Sequence, residues 1–325
     1  MRAAVQRAYG GSQVLTLEEI EAPTPGPGEI VVQVEAAPVT QADRRLREAD
    51  FPGVTWLPRR LMAGVLRPRY RVPGVNFAGR VSEVGDGVVR FAPGDRVVGA
   101  TFSGAFAEKI CVSADGPVVP LPRTLSPEPA CGLPYGLGTA RAFIQDWAQV
   151  RSGERVLIVG ASGVIGAYAV QLADHAGAEV HAVTRRDDDD GRLRDLGARE
   201  IFRVPPERRY DVVFDTTGTL SFRACRSRLT SSGRYLTLYL TVGILLWMVW
   251  TRLRPGPRAL FGVVEDTADG LEQTLGLAAD GAVRPLVDSV LPFHALRDAH
   301  DRLAEKPTGA VVVRIGAASA PASAA

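Results

Sequence analysis

The sequence predicts an α/β protein in two parts: a β-rich barrel or sandwich, then a doubly wound parallel sheet. Three observations predict it. Over the first ~120 residues, short β-branched runs alternate with Gly and Pro punctuation. From Ser126 onward, strand-like and helix-like stretches alternate, the pattern of a parallel sheet covered on both faces. A Gly-rich turn, Gly160-Ala161-Ser162-Gly163-Val164-Ile165-Gly166, joins the first strand of that second part to a helix.

In chain order, the first strands are expected at Ile30–Val34, Arg80–Val84, Arg96–Val98 and Lys109–Val112, divided by Pro25-Gly26-Pro27-Gly28 and Pro93-Gly94-Asp95. Residues 40–71 are Arg-rich and contain Pro58 and Pro68, which predicts a long loop with short helices. Pro134–Val150 then reads as a helix, Arg155–Val159 as a buried strand, and Ala167–Ala176 as a helix. Glu179–Thr184, Tyr210–Phe214 and Arg234–Leu238 are the next strands, with helices at Asp187–Leu196 and Phe222–Leu229 between them. Leu236–Trp250 is apolar but for Thr237, Tyr239, Thr241 and Gly243. At 15 residues it is shorter than the ~20 a membrane helix needs, so a strand running into a core helix is expected. Helices Ala268–Ala279 and Ala295–Ala304 alternate with strands Leu286–Leu291 and Ala310–Ile315. Residues 317–325, rich in Ala, Ser and Pro, are expected to be a disordered tail.

Composition narrows the function. Among 325 residues, Lys+Arg 38 against Asp+Glu 36 leaves no basic surplus for a nucleic-acid partner. Cys111, Cys131 and Cys225 are far apart, with no CxxC, which speaks against a disulfide framework or a structural zinc site. The N-terminal stretch Met1–Leu15 has no apolar signal core, so a cytoplasmic protein without a membrane span is expected. His175, His181, His294 and His300 show no ligand spacing. His181 is expected in the core or at an edge, and His300 on a helix surface.

The Gly160–Gly166 turn carries most of the functional signal. Glycines there permit a tight turn and a close approach of backbone to pyrophosphate. The following helix offers free N–H groups and its positive end to phosphate oxygens. An acidic residue at the end of the second strand would hold the ribose 2′-hydroxyl of NAD. This chain has Thr184-Arg185-Arg186 instead, a hydroxyl and two guanidinium groups suited to a 2′-phosphate. NADPH is therefore the expected cofactor, with NADH not excluded. Asp187–Asp190 reads as the first turn of a helix, with Asp188–Arg192 and Asp190–Arg194 pairs.

Several segments together resemble one family. They are Pro27–Val32, Pro73–Val81, Phe91–Val97, Leu133–Ala140, the Gly160–Gly166 turn, Tyr210–Gly218 and Gly309–Val313, spread over nearly the whole chain. In this order they resemble the zinc-independent medium-chain dehydrogenase/reductases of the quinone oxidoreductase and enoyl reductase branch. The resemblance implies a GroES-like β-barrel catalytic domain from residues 1–125 and 265–316, a Rossmann domain over 126–264, an active site in the cleft between them, and a homodimer joined through the Rossmann domains. Zinc-dependent relatives bear Cys near Ala37 and His-Glu near Val75-Asn76. Both are absent here, so no metal is expected. Without a Lewis acid, alcohol oxidation is disfavoured. Hydride delivery to a conjugated acceptor needs only positioning and donors to the carbonyl oxygen.

The resemblance also places site residues. Thr40, Asp43 and Asn76 are the catalytic candidates, although Thr40 stands where many relatives have Asn and Asn76 where they have Asp or Glu. A loop or helix cap is the competing reading for Asp43, and a turn for Asn76. Cofactor contacts are expected from Thr139, Gly160, Ser162, Gly163, Val164, Ile165, Gly166, Thr184, Arg185, Arg186, Thr216, Thr217, Gly218, Leu238, Tyr239, Phe261, Gly262 and Val263. Phe51, Tyr135, Trp247 and Trp250 are the expected substrate pocket, with core packing as the competing reading. The tyrosine acid of some relatives is missing after Asp43, where Phe51 is the nearest aromatic, so no proton donor is identified. The apolar stretch from Tyr239 to Trp250 implies a hydrophobic, unsaturated small-molecule substrate. The leading expectation is an NADPH-dependent reductase of quinones or α,β-unsaturated carbonyls. The alternatives are a biosynthetic tailoring enzyme, for enone reduction or redox-neutral cyclisation, and a non-catalytic NADPH-binding protein.

Overall fold

The computed structural model describes residues 1–51 and 53–316. The expected tail, 317–325, lies outside the described residues. The N-terminal strands are β1 (Arg2–Gln6), β2 (Leu15–Glu19), β3 (Glu29–Val39), β4 (Asn76–Val84), β5 (Arg96–Ala100), β6 (Lys109–Ser113) and β7 (Val118–Pro120). Then come β8 (Arg155–Val159), β9 (Glu179–Val183), β10 (Glu200–Phe202), β11 (Tyr210–Asp215), β12 (Leu229–Thr237) and β13 (Arg258–Leu260). The last strands among the described residues are β14 (Val287–Pro292) and β15 (Ala310–Arg314).

Strand β3 organises the first half. It is buried along its length except at Glu29, Gln33 and Glu35, and it pairs antiparallel with β4, β6 and β15. The barrel sheet runs β14-β15-β3-β4-β5-β7, so the C-terminal strands return to the N-terminal fold. Its interior is filled by Val32, Phe77, Val97, Phe106 and Val311.

The second half is a six-stranded sheet in the order β10-β9-β8-β11-β12-β13, with every pair parallel. Strands 8, 9 and 10 step one way from the middle, and strands 11, 12 and 13 step the other. The strand order reverses between β8 and β11, and ligands of such sheets sit beyond the carboxyl ends at that point. Val156, Leu157 and Ile158 are wholly buried, as a strand covered on both faces requires. A single apolar cluster joins Val98 and Val119 of the barrel to Leu133, Leu137 and Ile158 of the second half, which fixes the cleft between them.

Two expected helices differ. Pro134–Val150 is not one regular helix: wide π turns at Pro134–Gly138 and Ala142–Trp147 flank an α turn at Thr139–Arg141. Here Gly136 lies so close to the helix Val164–His175 that a Cβ would meet Val164 at 2.7 Å and the Tyr168 ring at 2.8 Å. The apolar run after β12 does form a helix, Val242–Arg252, but not a core one. Only Ile244 and Thr251 are buried, while Val242, Leu246, Val249 and Leu253 are exposed. Among the described residues, no helix is long and apolar enough to cross a membrane. His300, expected at the surface, is buried against the Phe106 ring, and burial pushes its imidazole down to about 3.

Candidate active site

The Gly160–Gly166 turn leaves β8 and enters the helix Val164–His175. Gly160 adopts φ +83°, and a Cβ there would strike Thr217 at 2.4 Å. At Gly166 a Cβ would lie 2.3 Å from the Gly160 carbonyl, so the helix could not sit this close to the turn. No side chain caps this helix at Gly163, which leaves its first-turn N–H groups for a ligand. Across the crevice, the Asp215 carboxylate accepts from Thr217 N–H at 2.9 Å, Gly218 N–H at 3.0 Å and Leu220 N–H at 2.8 Å. It shapes the Thr216–Leu220 loop that faces the Gly-rich turn.

These loops open on one cavity of about 720 Å³. Of the expected cofactor residues, Gly160, Ser162, Gly163, Val164, Ile165, Gly166, Thr184, Arg185, Arg186, Thr216, Thr217, Leu238 and Tyr239 line it. At the end of β9, Ser162 and Thr184 touch through their hydroxyls, and Thr184 Oγ1 accepts from Arg186 N–H at 3.0 Å. The Arg186 guanidinium donates to the Lys306 carbonyl at 2.8 Å. Arg185 forms no hydrogen bond or ion pair among the described residues. The Asp run does not make its expected pairs. Asp189 is buried and receives Arg192 at 2.6 and 2.9 Å, Asp187 and Asp190 hold Arg203 at 2.7 and 2.9 Å, and Asp188 turns to Arg186. A one-turn 3-10 start over Asp187–Asp189 shifts the phase that the i,i+4 spacing assumed.

Thr139, Gly218, Phe261, Gly262 and Val263 do not line the cavity. The Thr139 hydroxyl donates back to the Tyr135 carbonyl inside the π turn. Gly218, at φ +70°, makes room for the Tyr239 ring instead: its Cβ would stand 2.6 Å from that ring. Phe261–Val263 follow β13, the sheet edge, two strands away from the crevice. Phe261 joins the Phe222–Tyr235 cluster, Gly262 backs onto Trp147, and Val263 is exposed.

At the other end of the cavity, Pro38, Val39, Thr40, Gln41, Arg45, Tyr135, Leu238 and Tyr239 form the wall. Thr40 caps the helix Gln41–Glu48: its hydroxyl donates to Asp43 Oδ2 at 2.6 Å, and its N–H donates there at 2.8 Å. Asp43 is therefore a cap, and it is turned from the cavity toward Gln6, Tyr9 and Tyr70. Burial pushes its carboxyl up to about 6, against the pull of the Thr40 hydrogen bonds. Asn76 is buried at the start of β4, opposite Ala100, and does not reach the cavity.

Of the expected substrate pocket, only Tyr135 is in place. Phe51 packs with Ala49 and Ala63 in a separate small cluster. Trp247 and Trp250 sit 5.3 Å apart on the outer helix Val242–Arg252, where Trp247 packs on Phe222 and Trp250 lies under Arg226 and Arg254. The structure adds Arg45, Arg203, Leu220, Lys306 and Gly309 to the wall. Arg203 follows β10, the neighbour of β9 in the sheet, a short strand not among those expected from the sequence. Arg45 stands in a run of charged residues and gave no signal. Among the described residues, the cavity wall carries no Cys, His, Asp or Glu.

Comparison with known proteins fits this geometry. An alcohol dehydrogenase GroES-like domain matches residues 26–123, and a zinc-binding dehydrogenase domain matches residues 190–313. The chain belongs to the medium-chain dehydrogenase/reductases. Within that family it falls in the quinone oxidoreductase and enoyl reductase branch. It is 26% identical to the chloroplastic quinone-oxidoreductase QR1 of Triphysaria versicolor, over 96% of this chain and 98% of that one. It is 26% identical to the acryloyl-coenzyme A reductase of Metallosphaera sedula, over 94% and 97%. The solved CurF ER cyclopropanase from the curacin A biosynthetic pathway superposes with a TM-score of 0.83, at 25% identity, covering 97% of this chain and 99% of that one. As in its relatives, a nicotinamide cofactor is implied for this medium-chain dehydrogenase/reductase.

Proposed function

We propose that this chain is an NADPH-dependent oxidoreductase that reduces a quinone or an α,β-unsaturated carbonyl without a metal. The observation that carries this reading is one continuous cavity. It runs from the Gly160–Gly166 turn and the Thr184–Arg186 cluster to a wall of Thr40, Tyr135 and Tyr239. The first-turn N–H groups after Gly163 would hold the pyrophosphate. Arg185, with Arg203 and Thr184 nearby, would hold a 2′-phosphate, and no carboxylate in the wall competes for a ribose 2′-hydroxyl. The bound cofactor supplies the hydride. Pro38, Val39 and Leu238 exclude water from the far end, which strengthens hydrogen bonds to a developing oxyanion. A wall without Cys, His, Asp or Glu does not fit a zinc ion, so no step is routed through one.

The similarity to the CurF cyclopropanase favours one second reading: a tailoring enzyme that closes a ring in the same cavity. Purified protein should be mixed with NADPH or NADH and a panel of quinones, enones and enoyl thioesters. The proposal expects turnover with one acceptor class, faster with NADPH. A redox-neutral product formed without NADPH consumption would favour the second reading, and tight NADPH binding without any chemistry would defeat both.

We also propose a homodimer. The edge strand β13 and the exposed Val242, Leu246 and Val249 beside it form an apolar face of the Rossmann domain. Sedimentation should give a dimer that Leu246→Asp dissociates; a monomeric parent chain would refute it.

A further inference from the structure

The reduction proposed above needs a proton as well as a hydride, and the cavity wall offers no acid or imidazole to give one. Its hydroxyls are the remaining donors, and most are committed. Thr40 donates to Asp43 at 2.6 Å, Thr216 to the Val159 carbonyl at 2.8 Å and Thr217 to Asp215 at 2.7 Å. The Tyr239 hydroxyl is different. Its oxygen accepts from Arg45 Nη2 at 3.2 Å, and no described residue accepts its proton. Because the oxygen faces Arg45 as an acceptor, the O–H is left to point elsewhere, and Tyr239 lines the cavity.

The surroundings hold the ring in that pose. Gly218 leaves the space the ring fills, the Tyr239 N–H donates to Thr237 Oγ1 at 3.3 Å, and the Arg45 guanidinium stands 5.4 Å from the ring centroid. Arg45 is also electrically free. On the same helix, Arg44 and Arg47 both pair with Glu48, whereas Arg45 makes no ion pair among the described residues. Its charge is available to stabilise a phenolate.

We propose that Tyr239 is the catalytic residue that donates its proton to the carbonyl oxygen of the acceptor, and that Arg45 is its positioning residue. The inference rests on the reductase reading. The step balances as follows. A C–H bond forms at the β-carbon with the hydride of the reduced nicotinamide, the C=C pair moves toward the carbonyl carbon, and the carbonyl π pair goes to oxygen. The Tyr239 O–H bond breaks and the oxygen takes the proton, giving an enol. An enone's enol then takes a proton from water at the α-carbon and returns its O–H proton to water. A quinone's adduct instead loses a proton from the reduced ring carbon to water and becomes the hydroquinone. Tyr239 is left as a phenolate facing Arg45 and regains its proton from water. The acceptor is reduced by two electrons, and the nicotinamide is oxidised by two. Tyr135, the other phenol in the wall, is pushed up to about 12 because burial outweighs the Arg45 charge there. Its proton is therefore harder to give up than an ordinary phenol's.

The test uses the whole chain with Tyr239→Phe, Arg45→Met and Arg45→Lys, each checked by NADPH titration for an intact cofactor site. With the best acceptor, Tyr239→Phe should lower kcat about 100-fold with little change in the NADPH KM. Arg45→Met should lower kcat about 10-fold, and Arg45→Lys should restore most of it. A second readout needs no turnover: binding of 4-nitrophenolate, a stand-in for the enolate oxygen, to the NADP⁺-loaded protein. Wild type should bind it at least about tenfold more tightly than Tyr239→Phe or Arg45→Met. Equal nitrophenolate affinity in wild type and Tyr239→Phe would overturn the proposal. So would an unchanged kcat in Tyr239→Phe. Selective nitrophenolate binding in a protein that turns over no acceptor would uphold the donor pair and overturn only the reductase reading.

Discussion

At one end of the cavity, Gly160–Gly166 and Thr184–Arg186 follow two consecutive strands, β8 and β9, and their spacing is set by one turn and one helix. At the other end, Arg45 and Tyr239 meet although they lie 194 residues apart. The first end is built by local geometry: glycines where a Cβ would clash, free N–H groups where a helix begins, and guanidinium groups where a strand stops. The second end exists only because β15 returns to β3 and the barrel docks on the parallel sheet. Cofactor binding should therefore fail when a local rule is broken, whereas acceptor chemistry should fail when a long-range contact is broken.

The largest effect should come from breaking the local rule. Gly166→Val puts a side chain into the Gly160 carbonyl, so NADPH affinity should fall at least about 100-fold, or the domain should lose about 2–3 kcal/mol of stability. Cofactor fluorescence and denaturant titration measure both, and wild-type values in both would break the comparison.

Asp43 tests the opposite end. Its folded-state pKa of about 6 lies above its unfolded value, so folding takes up a proton between about pH 4 and 6. This contribution to stability is present at the acid side and is lost as pH rises through about 6, by roughly 2–3 kcal/mol. Asp43→Asn keeps an acceptor for the Thr40 cap but cannot ionise. The stability difference between variant and wild type should grow in favour of the variant from about pH 4 to about pH 7. A pH-independent difference would show that burial does not govern this carboxyl.

Arg185→Ala should weaken NADPH binding about tenfold and leave NADH within about twofold, because Arg185 lines the cavity and makes no hydrogen bond or ion pair among the described residues. Equal losses for both cofactors would move the 2′-phosphate away from the end of β9. The smallest effect should be that of Trp250→Phe, with cofactor and acceptor constants unchanged, since Trp250 lies on the outer helix between two arginines.

The same contrast explains what could be read in the chain. Strand β8, the helix Ala268–Ala279 and the glycine turn were legible to within a residue, because periodicity and glycine strain are local. Thr184–Arg186 were legible because a strand end specifies its neighbour in the turn. Trp247, Trp250 and Phe51 misled, since an apolar aromatic looks the same whether it faces a ligand or a neighbouring helix. Phe261–Val263 misled because their strand lies at the sheet edge, a fact of strand order rather than of sequence. Arg45 was hidden among charged neighbours, two of which pair with Glu48 while it does not.

The most direct test of the account follows the transferred atom. NADPH carrying deuterium at C4 of the nicotinamide, on one face or the other, should be turned over with the best acceptor from the panel and the product examined by mass spectrometry and NMR. The account predicts one deuterium on carbon, delivered from a single face of the cofactor, in an enone product. For a quinone it predicts NADPH consumed one for one and deuterium on a ring carbon of the hydroquinone, lost to water only in the share that aromatisation of the adduct removes. Product that forms with the label still on the cofactor would contradict it.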